Sequence, residues 1–230
     1  MWPEFTNTRY FDLIAVPSHD CAKKARNIIQ IKGAPHALNP QIEKKLRETW
    51  RSKLLDYPTP KIALIIGGSS RHKTFSLKMG LKLAELASKM AISVGGTLLI
   101  TSSPRSGDIG RIIIGSISAP KISFEWGDEG ENPYTGYLSV ADAIIVTGDS
   151  ISMCSEACFS TKPVYIFAPS ALTTEKHKKF HNELYSSGLA KPFIEYMKSE
   201  TISPLGWTHK PLNSSLEIAE RLKKILFGGE

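Results

Sequence analysis

Four apolar runs constrain this chain more than any other feature. "KIALIIGGSS" starts at Lys61 and "GGTLLITSS" carries a strand over Thr97–Thr101. "ADAIIVTGDS" carries one over Ala143–Thr147, and "PVYIFAP" another from Pro163. Each run is apolar without alternation, the pattern of a buried strand rather than a half-solvated one. Between them lie segments with helical spacing, one from about Ser76 to Met90 with Leu77, Leu81, Ala84 and Ala87, and one over "ISMCSEACFST". Strands alternating with helices predict an α/β fold, a Rossmann-like parallel sheet with helices on both faces.

The remaining elements are shorter. "KISFEW" is a third strand candidate in this region, "YLSVAD" a small helix, and "RIIIGSI" either a short strand or a helical turn. A helix from about Thr174 to Ser187 stops at Gly188, and an amphipathic one runs from about Leu216 to Leu226, before Gly228 and Gly229. Ahead of the main sheet, "YFDLIAVPSHD" and "NIIQIKG" read as two strands. A helix starting at Asn39-Pro40 places Ile42, Leu46 and Trp50 on one face. "DYPTP" is the best linker. The expected organisation is a partial N-terminal α/β segment over 1–56, the Rossmann-like unit over 57–212, and a C-terminal helix over 213–230 packing back on the N-terminal segment.

Composition excludes several classes. The chain has 230 residues, 41% hydrophobic and 22% charged, which is globular. Cys21, Cys154 and Cys158 are too few for a disulfide scaffold and read as reduced intracellular thiols. No apolar run is long enough to span a bilayer and no secretory signal shows, so a cytoplasmic protein is expected, with peripheral membrane contact left open. The net charge of +7 gathers at Lys23, Lys24 and Arg26, at Lys44, Lys45 and Arg47, and at Lys176, Lys178 and Lys179. Such a field attracts anions in general. Aromatic residues do not alternate with these clusters, which argues against nucleic acid.

Ligands of open parallel sheets bind beyond the carboxyl ends of the strands. Two such ends are unusual here, "GGSSRHKTF" and "TGDSISMCSE", with "TSSPRSGD" between them. In "GGSSRHKTF", Gly67 and Gly68 permit close approach of a ligand, Ser69 and Ser70 add donors, and Arg71 adds charge. In "TSSPRSGD", Ser102 and Arg105 should open onto the same rim, with the forked guanidinium suited to phosphate. In "TGDSISMCSE", Asp149 or Ser150 can cap a helix whose start, with Gly148, Ser150 and Ser152, could seat a phosphate. Glu156, further along, could accept hydrogen bonds from a sugar diol. The plain alternatives are a structural glycine turn, a surface arginine, a helix cap and a solvated glutamate. The loop "EWGDEGENPYTGY" is acidic and ends in a rigid corner at Asn132, Pro133 and Tyr134. Its acids read as solvated, so no metal is expected. His19 and Asp20 follow the first strand and either supply a base or close a turn. His177 and His181 read as ordinary helix residues.

The stretches "DLIAVPSHD", "GGSSRHKTF", "TSSPRSGD", "NPYTGYLSVADAIIVTGDSISMCSEA" and "KPVYIFA" together resemble the mitochondrial-fission "elongated mitochondria" family. The NPY-to-SEA stretch is the specific one. Family members usually carry further chain ahead of the SHD strand, which the resemblance makes a missing or separately supplied N-terminal half. The family's double-arginine "SRRTP" segment departs here to "SSPRSGD", leaving Arg105.

The family in turn resembles the C-terminal half of GT-B glycosyltransferases and sugar-nucleotide epimerases. That likeness implies a nucleoside diphosphate or nucleotide-sugar as ligand. Gly67 to Ser70 and Ser150 to Ser152 would face the phosphates, and Glu156 the ribose. The resemblance equally admits a non-catalytic adaptor at a membrane surface, the role of the plant family member. Open sheet edges favour association, as a homodimer or with a subunit carrying the N-terminal half.

Overall fold

Ile14–Pro17 (β1) and Ile28–Ile31 (β2) pair in parallel as a small separate sheet in the computed structural model, which describes residues 6–20, 25–199 and 203–228. Cys21, Lys23, Lys24 and Gly229 fall outside the described residues. Asn39 caps the next helix by accepting from the Ile42 amide, and Pro40 occupies its first turn, so Pro40–Lys53 (α1) starts where the Asn-Pro pair predicts.

The main sheet is built from Lys61–Ile66 (β3), Thr97–Ser102 (β4), Lys121–Phe124 (β5), Ala143–Thr147 (β6), Val164–Phe167 (β7) and the two-residue Lys191–Pro192 (β8). Its order is β5-β4-β3-β6-β7-β8 and every pairing is parallel. The connecting helices are Leu77–Ser93 (α2), Gly107–Ser116 (α3), Tyr134–Val140 (α4), Ile151–Ala157 (α5), Glu175–Ser186 (α6) and Phe193–Tyr196 (α7). Ser214–Phe227 (α8) closes the chain.

The continuous apolar runs follow from burial on both sides. Successive side chains of a strand point to opposite faces. Ile62, Leu64 and Ile66 of β3 enter one core with Leu83 and Met90 of α2, Ile113 of α3 and Phe193 of α7. Ala63 and Ile65 enter the other with Trp50 of α1, Tyr137 of α4, Cys154 of α5 and Phe180 of α6. A strand wetted on neither face has no polar position to alternate.

Three details differ from the sequence reading. Leu77 and Leu81 are exposed, and α2 buries Leu83, Leu86 and Met90 beside Ala84 and Ala87. "RIIIGSI" resolves as the end of α3. β8 and α7 carry no readable pattern of their own. The N-terminal segment divides in its packing. α1 lies on α4, where a Cβ on Gly136 would come within 2.1 Å of Trp50 Nε1, so only glycine admits the indole. The first turn of α8 is tied to the N-terminal segment instead, the Ser214 hydroxyl donating to the Lys32 carbonyl and that of Ser215 to the His36 carbonyl.

Candidate ligand site at the switch point

The chain leaves β3 toward β4 and β5, then crosses back to continue from β6 on the other side of β3. Between β3 and β6 the connections therefore depart in opposite directions, which opens a crevice beyond the strand ends. Gly67 and Gly68 follow β3 there, and Gly148 to Ser150 follow β6.

The two loops are bound together by Asp149. Its carboxylate Oδ2 accepts from the Gly68 amide at 2.9 Å and from Arg105 Nη2 at 2.8 Å. The Asp149 side chain is 1% exposed and the Arg105 side chain 41%. Asp149 Oδ1 is buried without a hydrogen-bond partner among the described residues. Ser150, not Asp149, caps α5, accepting from the Met153 amide.

The glycine turn is tight because protein, not solvent, lies against it. A Cβ on Gly67 would sit 2.2 Å from Asp149 Oδ1, and one on Gly68 only 1.9 Å from the Arg105 carbonyl oxygen. Its amides are engaged internally. Gly67 N–H donates to Thr147 Oγ1, Ser69 N–H to the Arg105 carbonyl and Ser70 N–H to the Lys73 carbonyl. The Ser69 hydroxyl accepts from the Phe75 amide. Exposed side chains of these loops include Ser69, Arg71, Arg105 and Ser152, with Ser150 partly open.

At the carboxyl ends of β3 and β4 is a crevice of about 380 Å³, and Arg105, Ser150, Ser152 and Glu156 are not among the residues that line it. It is walled by Ser102 at the end of β4 and Ser103 after it, Trp126 after β5, Asn132 and Tyr134 at the start of α4, and Met153 of α5. The Ser102 hydroxyl accepts from the Trp126 amide at 3.0 Å, holding the two loops together. Tyr134 donates its phenolic hydrogen to Oε2 of Glu156. Burial, with the Glu156 charge behind it, pushes the Tyr134 hydroxyl well above its ordinary range. An aromatic wall beside a few polar groups, at this volume, suits a flat heterocyclic ligand.

His19 and Asp20 lie elsewhere. They form a single 3-10 turn against α6, with His19 7% exposed, its ring 5.2 Å from that of Phe180, and Asp20 paired with Lys176. Neither lines the crevice. His177 and His181, on the same helix, stand nearer the site than their sequence suggests. The charges of Asp149 and Arg105 both reach His177, and a Cβ on Gly148 would touch the His181 ring at 2.6 Å. Of the loop acids, Glu131 pairs with Lys53 and Glu125 with Arg111.

Burial holds His181 down, to about 4, from its ordinary 6.5, and lowers His177 and His19 as well. The unfolded chain therefore takes up these protons before the folded one does. The stability contributed by neutral His181 is complete above about pH 6.5 and is lost as pH falls through about 4, roughly 3 kcal/mol in all. Melting temperature should drop across this window, and His181→Gln should flatten the drop. An equal slope in the variant would exclude His181 as its source.

Residues 1–226 match the family described as "Mitochondrial fission ELM1". The chain is 25% identical over 200 residues to "Mitochondrial fission protein ELM1" of Arabidopsis thaliana, covering 87% of this chain and 46% of that protein. It is 32% identical over 211 residues to "Uncharacterized protein RP120" of Rickettsia prowazekii (strain Madrid E), covering 89% of this chain and 57% of that one. The chain thus spans about half the length of these relatives. Among solved structures, it aligns with a family 9 glycosyl transferase of Veillonella parvula at TM-score 0.43 and 12% identity, over 85% of this chain and 54% of that one. MurG of Acinetobacter baumannii aligns at TM-score 0.44 and 14% identity, over 80% and 47%. By the extent of the family match, this chain belongs to the mitochondrial fission ELM1 family.

Proposed function

We propose that this unit binds a nucleoside diphosphate or a nucleotide-sugar across the switch point. The base would stack in the crevice against Trp126 and Tyr134, the ribose would meet Glu156, and the diphosphate would reach toward Arg105, Ser150 and Ser152. The reading is supported by one observation: beyond the carboxyl ends of β3 and β4 lies a crevice with Trp126 and Tyr134 in its wall, and the Tyr134 hydroxyl donates to Glu156. Since the amides of the Gly67–Ser70 turn are engaged, the anion's partners would be side chains. Arg105 keeps donors to spare beyond its bond to Asp149, because a guanidinium carries five. Arg71 and Ser69 stand exposed beside it.

Glycosyl transfer is a narrower proposal for the assembled protein. The same cations would stabilise a departing diphosphate. His19 or Asp20 could act as base only after leaving Phe180 and Lys176.

The test is a melting titration with ADP, CDP, GDP, UDP and their sugar conjugates. A ligand at a hundred times its Kd should add about 2.7 kcal/mol, a rise of roughly 5–10 °C. Glu156→Ala and Ser150→Ala should abolish most of that rise. A flat response to every nucleotide up to millimolar concentration would overturn the reading.

One observation favours a second reading, an adaptor at a membrane surface. The last turns of α8 expose Leu222, Ile225, Leu226 and Phe227 beside Arg221, Lys223 and Lys224. Arg221 and Lys224 share a cavity of about 600 Å³ with Arg9 and Arg26. Apolar and basic groups on one helix suit an anionic lipid surface. Among the described residues no helix is long and apolar enough to cross a membrane. Sedimentation with anionic vesicles, coupled with indifference to nucleotide, would support this reading over the first.

A further inference from the structure

We propose that the cavity between the N-terminal segment and the last turns of α8 binds a phosphate-bearing anion, held by Arg9, Arg26, Arg221 and Lys224. The inference does not depend on the nucleotide reading. It rests on the membrane-surface reading for only one of its two sources of ligand, and goes beyond it by naming a discrete site and the group held there. The fold gathers the four cations from three places. Arg9 lies in the 3-10 turn Thr8–Tyr10 and Arg26 just ahead of β2, while Arg221 and Lys224 stand three residues apart on one face of α8. α8 starts beside the carboxyl end of β2, where the Ser214 hydroxyl donates to the Lys32 carbonyl, and its far end returns to the amino end of β2 at Arg26. The cavity shares no lining residue with the crevice beside Trp126.

The frame of the cavity is tied by backbone and amide bonds. Asn27 Nδ2 donates to the Thr8 carbonyl at 2.8 Å and to the Phe11 carbonyl at 2.7 Å, and the Ile14 amide donates to the Asn27 carbonyl at 2.7 Å. The turn carrying Arg9 is thereby joined to the strand start carrying Arg26. The Arg9 guanidinium lies over the Tyr10 ring, 5.3 Å from its centroid, a contact that steadies the fork without neutralising it. Asp12 is the one carboxylate among the described residues of the wall, and no ion pair joins it to any of the four cations there. Four like charges around one concavity repel one another. The negative end of the α8 dipole accounts for Lys224 in the last turn. It does not account for Arg9 and Arg26, which reach the same cavity from other elements. A phosphate group accounts for all four, since its oxygens accept from guanidinium forks in pairs and its charge meets several cations at once. The volume of about 600 Å³ leaves room for the body of the ligand as well.

The experiment has a soluble arm and a vesicle arm, both at an ionic strength of about 0.15 M so that diffuse attraction is screened. In the first, inorganic pyrophosphate is titrated calorimetrically into the chain. Arg26→Gln and Arg221→Gln should each weaken its binding about tenfold or more, the scale of a hydrogen bond to a charged group. Lys223→Gln removes the same charge from the same helix, but Lys223 does not line the cavity and its loss should matter far less. In the second, the chain is sedimented with phosphatidylcholine vesicles carrying phosphatidic acid or, at equal surface charge, phosphatidylserine. A preference for phosphatidic acid that disappears in Arg26→Gln and Arg221→Gln supports the site and makes a lipid phosphate its source. Pyrophosphate binding that these variants abolish, without such a preference, supports the site with a free phosphate as its source. Equal losses in Lys223→Gln and Arg221→Gln would mean a diffuse field and overturn the inference. So would pyrophosphate binding lost only in Arg105→Gln, which would place the anion at the switch point and leave the nucleotide reading standing. Neither pyrophosphate binding nor a preference for phosphatidic acid overturns the inference too. Equal sedimentation with both lipids would then leave the membrane-surface reading standing, and no sedimentation would remove that reading as well.

Discussion

Asp149→Ala should cost the unit about 2–4 kcal/mol and lower its melting temperature by roughly 5–15 °C. Three consequences of the substitution add. The buried Gly68 amide loses its acceptor, Arg105 loses its carboxylate, and a void opens where the side chain was 1% exposed. An orphaned buried donor alone costs about 1–3 kcal/mol. The ion pair contributes at the lower end of its range, since Arg105 is partly solvated and can turn to water. Asp149→Asn separates the parts. Its amide oxygen can still accept from Gly68 while the charge on Arg105 goes uncompensated, so about 1 kcal/mol is expected. Denaturant unfolding of the two variants checks this order. An alanine variant within 0.5 kcal/mol of wild type would mean that the loops after β3 and β6 do not depend on Asp149 for their junction.

The role of Asp149 shows where sequence reasoning stops. Asp and Ser are both good helix caps, so "GDS" leaves the cap undecided between positions 149 and 150. The choice is made by a residue remote in sequence. Arg105 comes from the loop after β4, and once Asp149 turns to it Ser150 is left to cap α5. Glu156 stands out in sequence as an acid on a helix near the rim, but its partner Tyr134 precedes it by 22 positions and a strand. His181 reads as an ordinary helix residue until α6 is seen to pack its ring against Gly148. What the sequence does display is whatever is decided locally. β3, β4, β6 and β7 are readable because burial on both faces imposes an unbroken apolar run. β8 is not, because two residues, one of them proline, become a strand only by pairing with Tyr165 and Ile166. On α2 the residues spaced Leu77, Leu81, Ala84, Ala87 and those spaced Leu83, Leu86, Met90 both fit a helical stripe. Packing on the sheet decides that Ala84 and Ala87 are covered together with the second set while Leu77 and Leu81 of the first are left exposed.

Gly68→Ala is the sharpest separation between two explanations of one motif. Read as sequence, "GGSS" after a buried strand suggests glycine kept so that a phosphate can come close. A glycine kept for that purpose borders open space in the free protein, and alanine there would weaken binding while leaving ligand-free stability near wild type. The structure puts protein in that space instead. The new Cβ would lie 1.9 Å from the Arg105 carbonyl oxygen and 2.1 Å from its carbonyl carbon, and neither atom belongs to a flexible side chain. Relief requires the loop after β3 to move from the loop after β4, which breaks the Ser69 amide's bond to that same carbonyl and strains the Gly68 bond to Asp149. The expected loss is about 3 kcal/mol or more, at the upper end of overpacking penalties because backbone must shift. Gly67→Ala, with its Cβ 2.2 Å from Asp149 Oδ1, should cost somewhat less, since a side chain can give where a backbone carbonyl cannot. Melting both variants without nucleotide decides the matter: near-native melting of Gly68→Ala would return the motif to the ligand, and a collapse assigns it to the junction of the two loops.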